Sequence, residues 1–229
     1  MKNRAVKYLA LLVMAILPLL AGCSALLSKQ PLQTTTYYSL QLLESKAQAA
    51  PALNANPVLK TNAKLPTLVI HTPKAAAGFD TRRMMYTRHP HQLEYFARNE
   101  WVDTPAHMLQ GLMVSAIAET GHFNAVLPQY SLVKSELSLE SEIVQLIQIF
   151  PSKPVIPNKP SQLQFILRAS IIDNATGKVV AQREFNEKVG TISNDPNGGV
   201  VAANQAVNAV LQKISAFTHE ATIAWHKSM

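Results

Sequence analysis

The sequence predicts an α/β (α+β) two-layer sandwich: a mixed β-sheet with two main helices packed on one face. Two observations carry this. Three consecutive segments near residues 135–190 alternate apolar and polar residues with the period of a strand, joined by turn-rich connections. Two other segments, one between strands and one closing the chain, carry apolar residues with the helical period on one face only. A helix with a single apolar stripe needs an apolar partner, and a sheet with one apolar face supplies it.

In chain order, residues 1–22 read as a lipoprotein signal peptide. Lys2, Arg4 and Lys7 precede an apolar run from Tyr8 to Leu20, and Leu19-Leu20-Ala21-Gly22-Cys23 follows. The run is short for a membrane span and has the layout of an export signal. Its end resembles the bacterial lipobox, in which the cysteine becomes the acylated N-terminus. That resemblance implies a diacylglyceryl group on the Cys23 sulfur and a further acyl chain on its nitrogen, an anchor far stronger than one chain alone. Ser24, not Asp, stands at the next position, which under Gram-negative sorting implies the periplasmic face of the outer membrane. Cys23 is the only cysteine, so no internal disulfide staples the fold. Removing residues 1–22 takes three basic groups and lowers the formal charge from +7 to +4.

Residues 23–36 read as the lipidated N-terminus and a flexible tether, and 37–229 as one domain. TYYSLQLL, Thr36 to Leu43, reads as a first strand, and residues 44–66, rich in Ala, Asn, Lys and Pro, as a surface insertion. TLVIHTP is a short buried strand ended by Pro73. Short strands are expected near Met84 to Thr87 and Gln92 to Phe96, separated by a turn at Arg88-His89-Pro90. The first helix has Asp103 or Thr104 as N-cap and Pro105 in its first turn. Its apolar face carries Met108, Leu109, Leu112, Met113, Ala116 and Ile117, and Gly121 is its C-cap. A short strand at Ala125 to Leu127 precedes a three-strand meander. In it Leu137, Leu139 and Ile143 face inward, then Leu163, Phe165, Leu167, Ala169 and Ile171. Between those strands PSKPVIPNKP reads as an exposed tip. The closing helix starts at Asp195-Pro196 and buries Val200, Ala203, Val207, Val210, Leu211, Ile214, Phe217 and Ala221. Asn204, Gln205, Asn208, Gln212 and Lys213 fall on its polar side.

The chemistry-bearing stretch is GFDTRRMMYTRHPHQLEYFARNEW, Gly78 to Trp101, with four arginines, two histidines and five aromatics. Nucleic acid is disfavoured as its partner, because Asp80, Glu94 and Glu100 interleave with the arginines and the export signal removes the chain from the cytoplasm. His89 and His91 flank a proline, and His71, His107 and His122 lie at unrelated spacings, so no metal site is expected. No G-x-S-x-G element appears, Gly198-Gly199 lacks the lysine of a phosphate loop, and Glu136, Glu140 and Glu142 alternate as an exposed strand face would. The chain is read as non-enzymatic and without a cofactor beyond the lipid on Cys23. Two readings of the stretch stay open. In one, Arg82, Arg83, Arg88 and Arg98 pair with the three acids across a hairpin while Met85, Tyr95 and Trp101 pack beneath the first helix. In the other it forms a partner surface built from Asp80, Arg82, Arg83, Tyr86 and Trp101.

The ordered motifs resemble those of the ABC-type transport auxiliary lipoprotein components, the group that includes the paraquat-inducible protein C-like lipoproteins. A D-T-x-R-[MI]-x-Y run is matched by Asp80, Thr81, Arg83 and Tyr86. An L-x-x-[YF] strand is matched by Leu93 and Phe96, a W-x-x-x-P helix start by Trp101 and Pro105, and an A-A-x-x-A helix by Ala202, Ala203 and Ala206. The resemblance spans Tyr37 to the last helix. It implies an auxiliary, outer-membrane piece of a system that moves phospholipid or another hydrophobic molecule between membranes. The implied partners are a periplasmic substrate-binding protein of the mammalian-cell-entry type, an ABC permease and ATPase on other chains, and further copies of this chain. Two other readings remain: a lipoprotein regulator of a cell-envelope enzyme such as a peptidoglycan synthase, and direct lipid carriage in a cavity between helices and sheet.

Overall fold

The computed structural model describes residues 34–43, 64–151 and 159–228. Cys23, most of the 44–66 insertion and the centre of the proline-rich tip lie outside them. The described strands form one mixed sheet with two helices packed on it, the expected two-layer architecture.

Three long antiparallel strands build the frame: β7 (Leu137–Ile149), β8 (Gln162–Asp173) and β9 (Lys178–Gly190). The other edge of β7 is shared along its length by three short parallel strands. β2 (Leu68–Ile70) pairs with Leu137–Leu139, β3 (Lys74–Ala75) with Glu142 and Ile143, and β4 (Arg83–Thr87) with Gln148 and Ile149. The sheet therefore forks at β7. One branch adds β6 (Val126–Pro128) outside β2. The other adds β5 (Glu94–Trp101), antiparallel to β4, and then β1 (Thr36–Tyr38), parallel to β5. The two-residue β3 is not expected from its sequence, and β5 runs five residues beyond the expected strand.

α1 (Pro105–Ala118) starts as its sequence prescribes: Thr104 accepts the His107 N–H, and Pro105 occupies the first turn. Its C-cap is Glu119, not Gly121, which lies two residues on at φ 68°. α2 (Pro196–Lys227) is capped by Asp195, whose carboxylate accepts the Gly198 N–H. The predicted stripes of both helices join the inward residues of β7 and β8 in one core: Leu109, Met113, Ile117, Val207, Val210, Ile214, Leu137, Leu139, Leu167 and Ile171 are fully buried.

The glycine pair at the start of α2 is there for space. A Cβ on Gly199 would stand 2.2 Å from Oε1 of buried Gln148, and one on Gly198 2.3 Å from the Ser193 carbonyl oxygen. Without side chains the helix start seats against β7. There the Gln148 amide donates to Ser161 Oγ at 2.8 Å and to the Asp195 carbonyl at 3.3 Å.

Two sequence expectations need correction. The first strand ends at Tyr38, because β5 ends opposite it at Trp101; Ser39 to Leu43 continue as extended chain along α2, whose Asn204 and Asn208 hold their backbone. The polar side of α2 is thus partly a chain-binding surface. Met85 and Tyr95, expected beneath α1, lie opposite each other on the outward side of the hairpin, and the side chains turned inward are Met84, Tyr86 and Trp101. An irregularity between Arg83 and Met85 shifts the β4–β5 register, which strict alternation does not anticipate.

Candidate interaction surface

The hairpin β4–β5 gathers the stretch Gly78 to Trp101 into two faces with different chemistry. Its tip bends at His91, whose φ is 66°. On the inner face the Tyr86 hydroxyl donates to Glu94 at 2.9 Å, and its ring lies 4.5 Å from Phe96 and 5.6 Å from Phe150 between centroids. The hydrogen bond to Glu94, reinforced by burial, raises the Tyr86 pKa. Trp101 is 4 % exposed, and its backbone is locked to Arg82: its N–H donates to the Arg82 carbonyl at 2.7 Å, and its own carbonyl accepts from Arg82 Nε at 3.2 Å.

On the outer face, arginines lie on tyrosines. The Arg83 guanidinium sits 4.2 Å from the centroid of the Tyr95 ring, and that of Arg82 5.4 Å from Tyr37 of the adjoining β1. Tyr37 and Tyr95 remain 56 % and 50 % exposed. Arg82 also reaches Glu100 at 3.9 Å. Among the described residues no carboxylate lies within ion-pair distance of Arg83, Arg88 or Arg98. The expected pairing of all four arginines across the hairpin is therefore seen at Arg82 alone; the others rest on aromatic faces or project to solvent.

Of the five residues read as a partner surface, Asp80, Arg82 and Arg83 are exposed. Tyr86 and Trp101 are buried and hold the hairpin together, so they cannot present a face to a partner. Exposed Tyr37 and Tyr95 join the surface instead. Tyr37 is separated from the stretch by 40 residues of sequence, and only the β1–β5 pairing brings it there.

His89 and His91 are exposed at the hairpin tip, and His107 lies 3.4 Å from Asp103. Glu142, Arg168 and Glu184 form a cross-strand triad on β7, β8 and β9, with contacts of 3.0 and 3.1 Å. His122 and His219 stack with centroids 3.9 Å apart, a pair that no sequence spacing suggests. They line a groove of about 720 Å³ between the end of α1, the middle of α2 and Leu42-Leu43.

These features define a two-layer α+β domain whose sheet edge carries stacked Arg–Tyr pairs beside the point where the N-terminal chain joins. The chain belongs to the family of ABC-type transport auxiliary lipoprotein components, whose model matches residues 48–215. It is thus a member of a transport-accessory family, not of an enzyme family. The fold is similar to that of protein XCC0632 from Xanthomonas campestris, at a TM-score of 0.67 and 19 % identity over 85 % of this chain and 100 % of that one. It is also similar to the crystal structure of an uncharacterized protein, at a TM-score of 0.59 and 11 % identity over 81 % and 99 %. No curated relative matches the chain.

Proposed function

We propose that this chain is a non-enzymatic lipoprotein, anchored through Cys23 in the periplasmic face of the outer membrane. It serves as the outer-membrane component of an ABC-type system that moves phospholipid or another hydrophobic molecule between the two membranes. Its partners are a mammalian-cell-entry-type periplasmic protein and, through it, an ABC permease and ATPase; several copies assemble at the docking point. Family membership carries the reading, because an auxiliary lipoprotein component needs both a lipid site and a partner-binding domain. The sequence offers one cysteine for the first, behind an export-type segment and followed by Ser24. The domain of residues 37–229 supplies the second.

The test is affinity capture of the acylated full chain from cross-linked cell envelopes, with mass spectrometry of what is recovered. A mammalian-cell-entry-type protein together with permease or ATPase subunits is the expected result. Repeated recovery of a peptidoglycan enzyme and no transporter subunit would overturn it. Metabolic labelling with a radioactive fatty acid, lost in Cys23→Ala, checks the anchor separately.

A further inference from the structure

We infer that the outer face of the β1–β5–β4 edge is a docking surface for phospholipid headgroups, with Arg83 on a lipid phosphate and Tyr37 and Tyr95 at interfacial depth. The inference rests on the reading of Cys23 as the lipidated residue.

Ten residues separate Cys23 from Thr34, and β1 begins at Thr36. At full extension the thirteen residues from Ser24 to Thr36 span at most about 45 Å. β1 is the first strand of the domain after the tether, so its face lies within reach of the bilayer that an acylated Cys23 would occupy. A surface kept that close to lipid meets it at a high effective concentration, so weak individual contacts suffice.

Tyrosine has an apolar ring and a polar tip, the combination enriched at membrane–water interfaces. Two half-exposed tyrosines stand on this edge, each with a guanidinium laid on its ring. The stacking holds Arg83 in place with its guanidinium clear of any carboxylate among the described residues, available to a phosphate, which arginine binds in bidentate fashion; Arg82 beside it is spent on the Trp101 carbonyl and Glu100. The nearby acids leave Arg83 without a carboxylate partner among the described residues. Glu100 is engaged by Arg82, and Glu94 accepts the Tyr86 hydroxyl on the inner face, which leaves Asp80 as the exposed acid preceding β4. Arg83, with no carboxylate in ion-pair distance among the described residues, suits the negative charge of a phosphate headgroup.

The experiment uses the full acylated chain reconstituted in phosphatidylethanolamine–phosphatidylglycerol vesicles. With Cys23 acylated, an introduced cysteine is the only free thiol, so Tyr37→Cys, Tyr95→Cys and Tyr130→Cys can each carry one environment-sensitive fluorophore. Tyr130 is 78 % exposed and lies outside the patch. Brominated lipids should quench the labels at 37 and 95 several-fold more strongly than the label at 130. Arg83→Glu, with an unchanged circular dichroism spectrum, should bring the signal at 95 down to that of the control. Co-flotation with equal quenching at all three positions would overturn the inference and leave the anchor standing. Failure to co-float would overturn the anchor and the inference with it. Labels that respond only when purified transporter subunits are added would make the face a protein contact and overturn it as well.

Discussion

Asn204 of α2 closes a two-point contact with the backbone around Gln41: its Oδ1 accepts the Gln41 N–H at 2.7 Å, and its Nδ2 donates to the Ser39 carbonyl at 3.3 Å. One turn later Asn208 repeats the pattern, accepting from the Leu43 N–H and donating to the Gln41 carbonyl, both at 2.9 Å. The helix thus does for residues 39–43 what a neighbouring strand would do. It satisfies backbone groups that β5 cannot reach, while Leu40 is buried below them.

Replacing both asparagines by alanine removes side-chain partners from Ser39, Gln41 and Leu43 at once. Each lost hydrogen bond costs about 1 kcal/mol, with solvent access to this stretch limiting the total. The expected result is a small drop in denaturation midpoint together with a large gain in amide exchange at Gln41 and Leu43. Unchanged exchange at those two amides would show that packing of Leu40, not the asparagine contacts, holds the segment.

The start of α2 should tolerate no side chain. Overpacking a filled site costs about 1–3 kcal/mol, and both Gly198→Ala and Gly199→Ala introduce a carbon well inside contact distance. The two differ in what is hit. Gly199→Ala meets the Gln148 side chain, so Gln148→Ala in the same chain should recover part of its loss, whereas Gly198→Ala meets the Ser193 backbone and gains nothing from that second change. Urea unfolding of the four variants separates these outcomes.

The helices and the long strands are legible in the sequence because each buries a single stripe against one large partner, so period alone identifies the stripe. Leu163, Phe165, Leu167, Ala169 and Ile171 are all at or below 4 % exposure, as strict alternation requires. Legibility fails where pairing depends on residues far away in the chain. Periodicity assigns Asn204 and Asn208 to solvent because it cannot see a segment 165 residues upstream. The shifted register of β4–β5 turns Met85 and Tyr95 outward, and Tyr37 reaches the candidate surface only through strand pairing. Arg82 and Arg83 are found from composition. That Tyr86 and Trp101 stand behind them in the core is a fact of the fold.

The cross-strand triad of Glu142, Arg168 and Glu184 should matter little to stability, despite contacts of 3.0 and 3.1 Å. Arg168 is 42 % exposed on its side chain, and such pairs contribute about 0–1 kcal/mol, less at high salt. Arg168→Met should therefore shift the unfolding midpoint slightly. Leu167→Ala, one residue away on the buried face, should cost about 2–5 kcal/mol. A larger effect at Arg168 than at Leu167 would mean that the outer face of the meander is covered by another surface.

Acid should weaken the junction of α1 and α2 before it affects the rest of the domain. Burial lowers the His219 pKa below the ordinary histidine value, the neighbouring His122 adds to the shift, and Glu220 opposes it. The folded chain then binds a proton at His219 less readily than the unfolded chain does. This contribution to stability is complete above the ordinary histidine value of about 6.5 and declines as pH falls through the lower folded value. Asp195, held low by the Gly198 N–H and the Ser193 hydroxyl, acts only at more acid pH. Denaturation midpoints measured between roughly pH 7.5 and 5 should fall with acidification in the native chain and fall less in His219→Gln. Identical slopes in the native chain and His219→Gln would place the acid sensitivity elsewhere than the stacked pair.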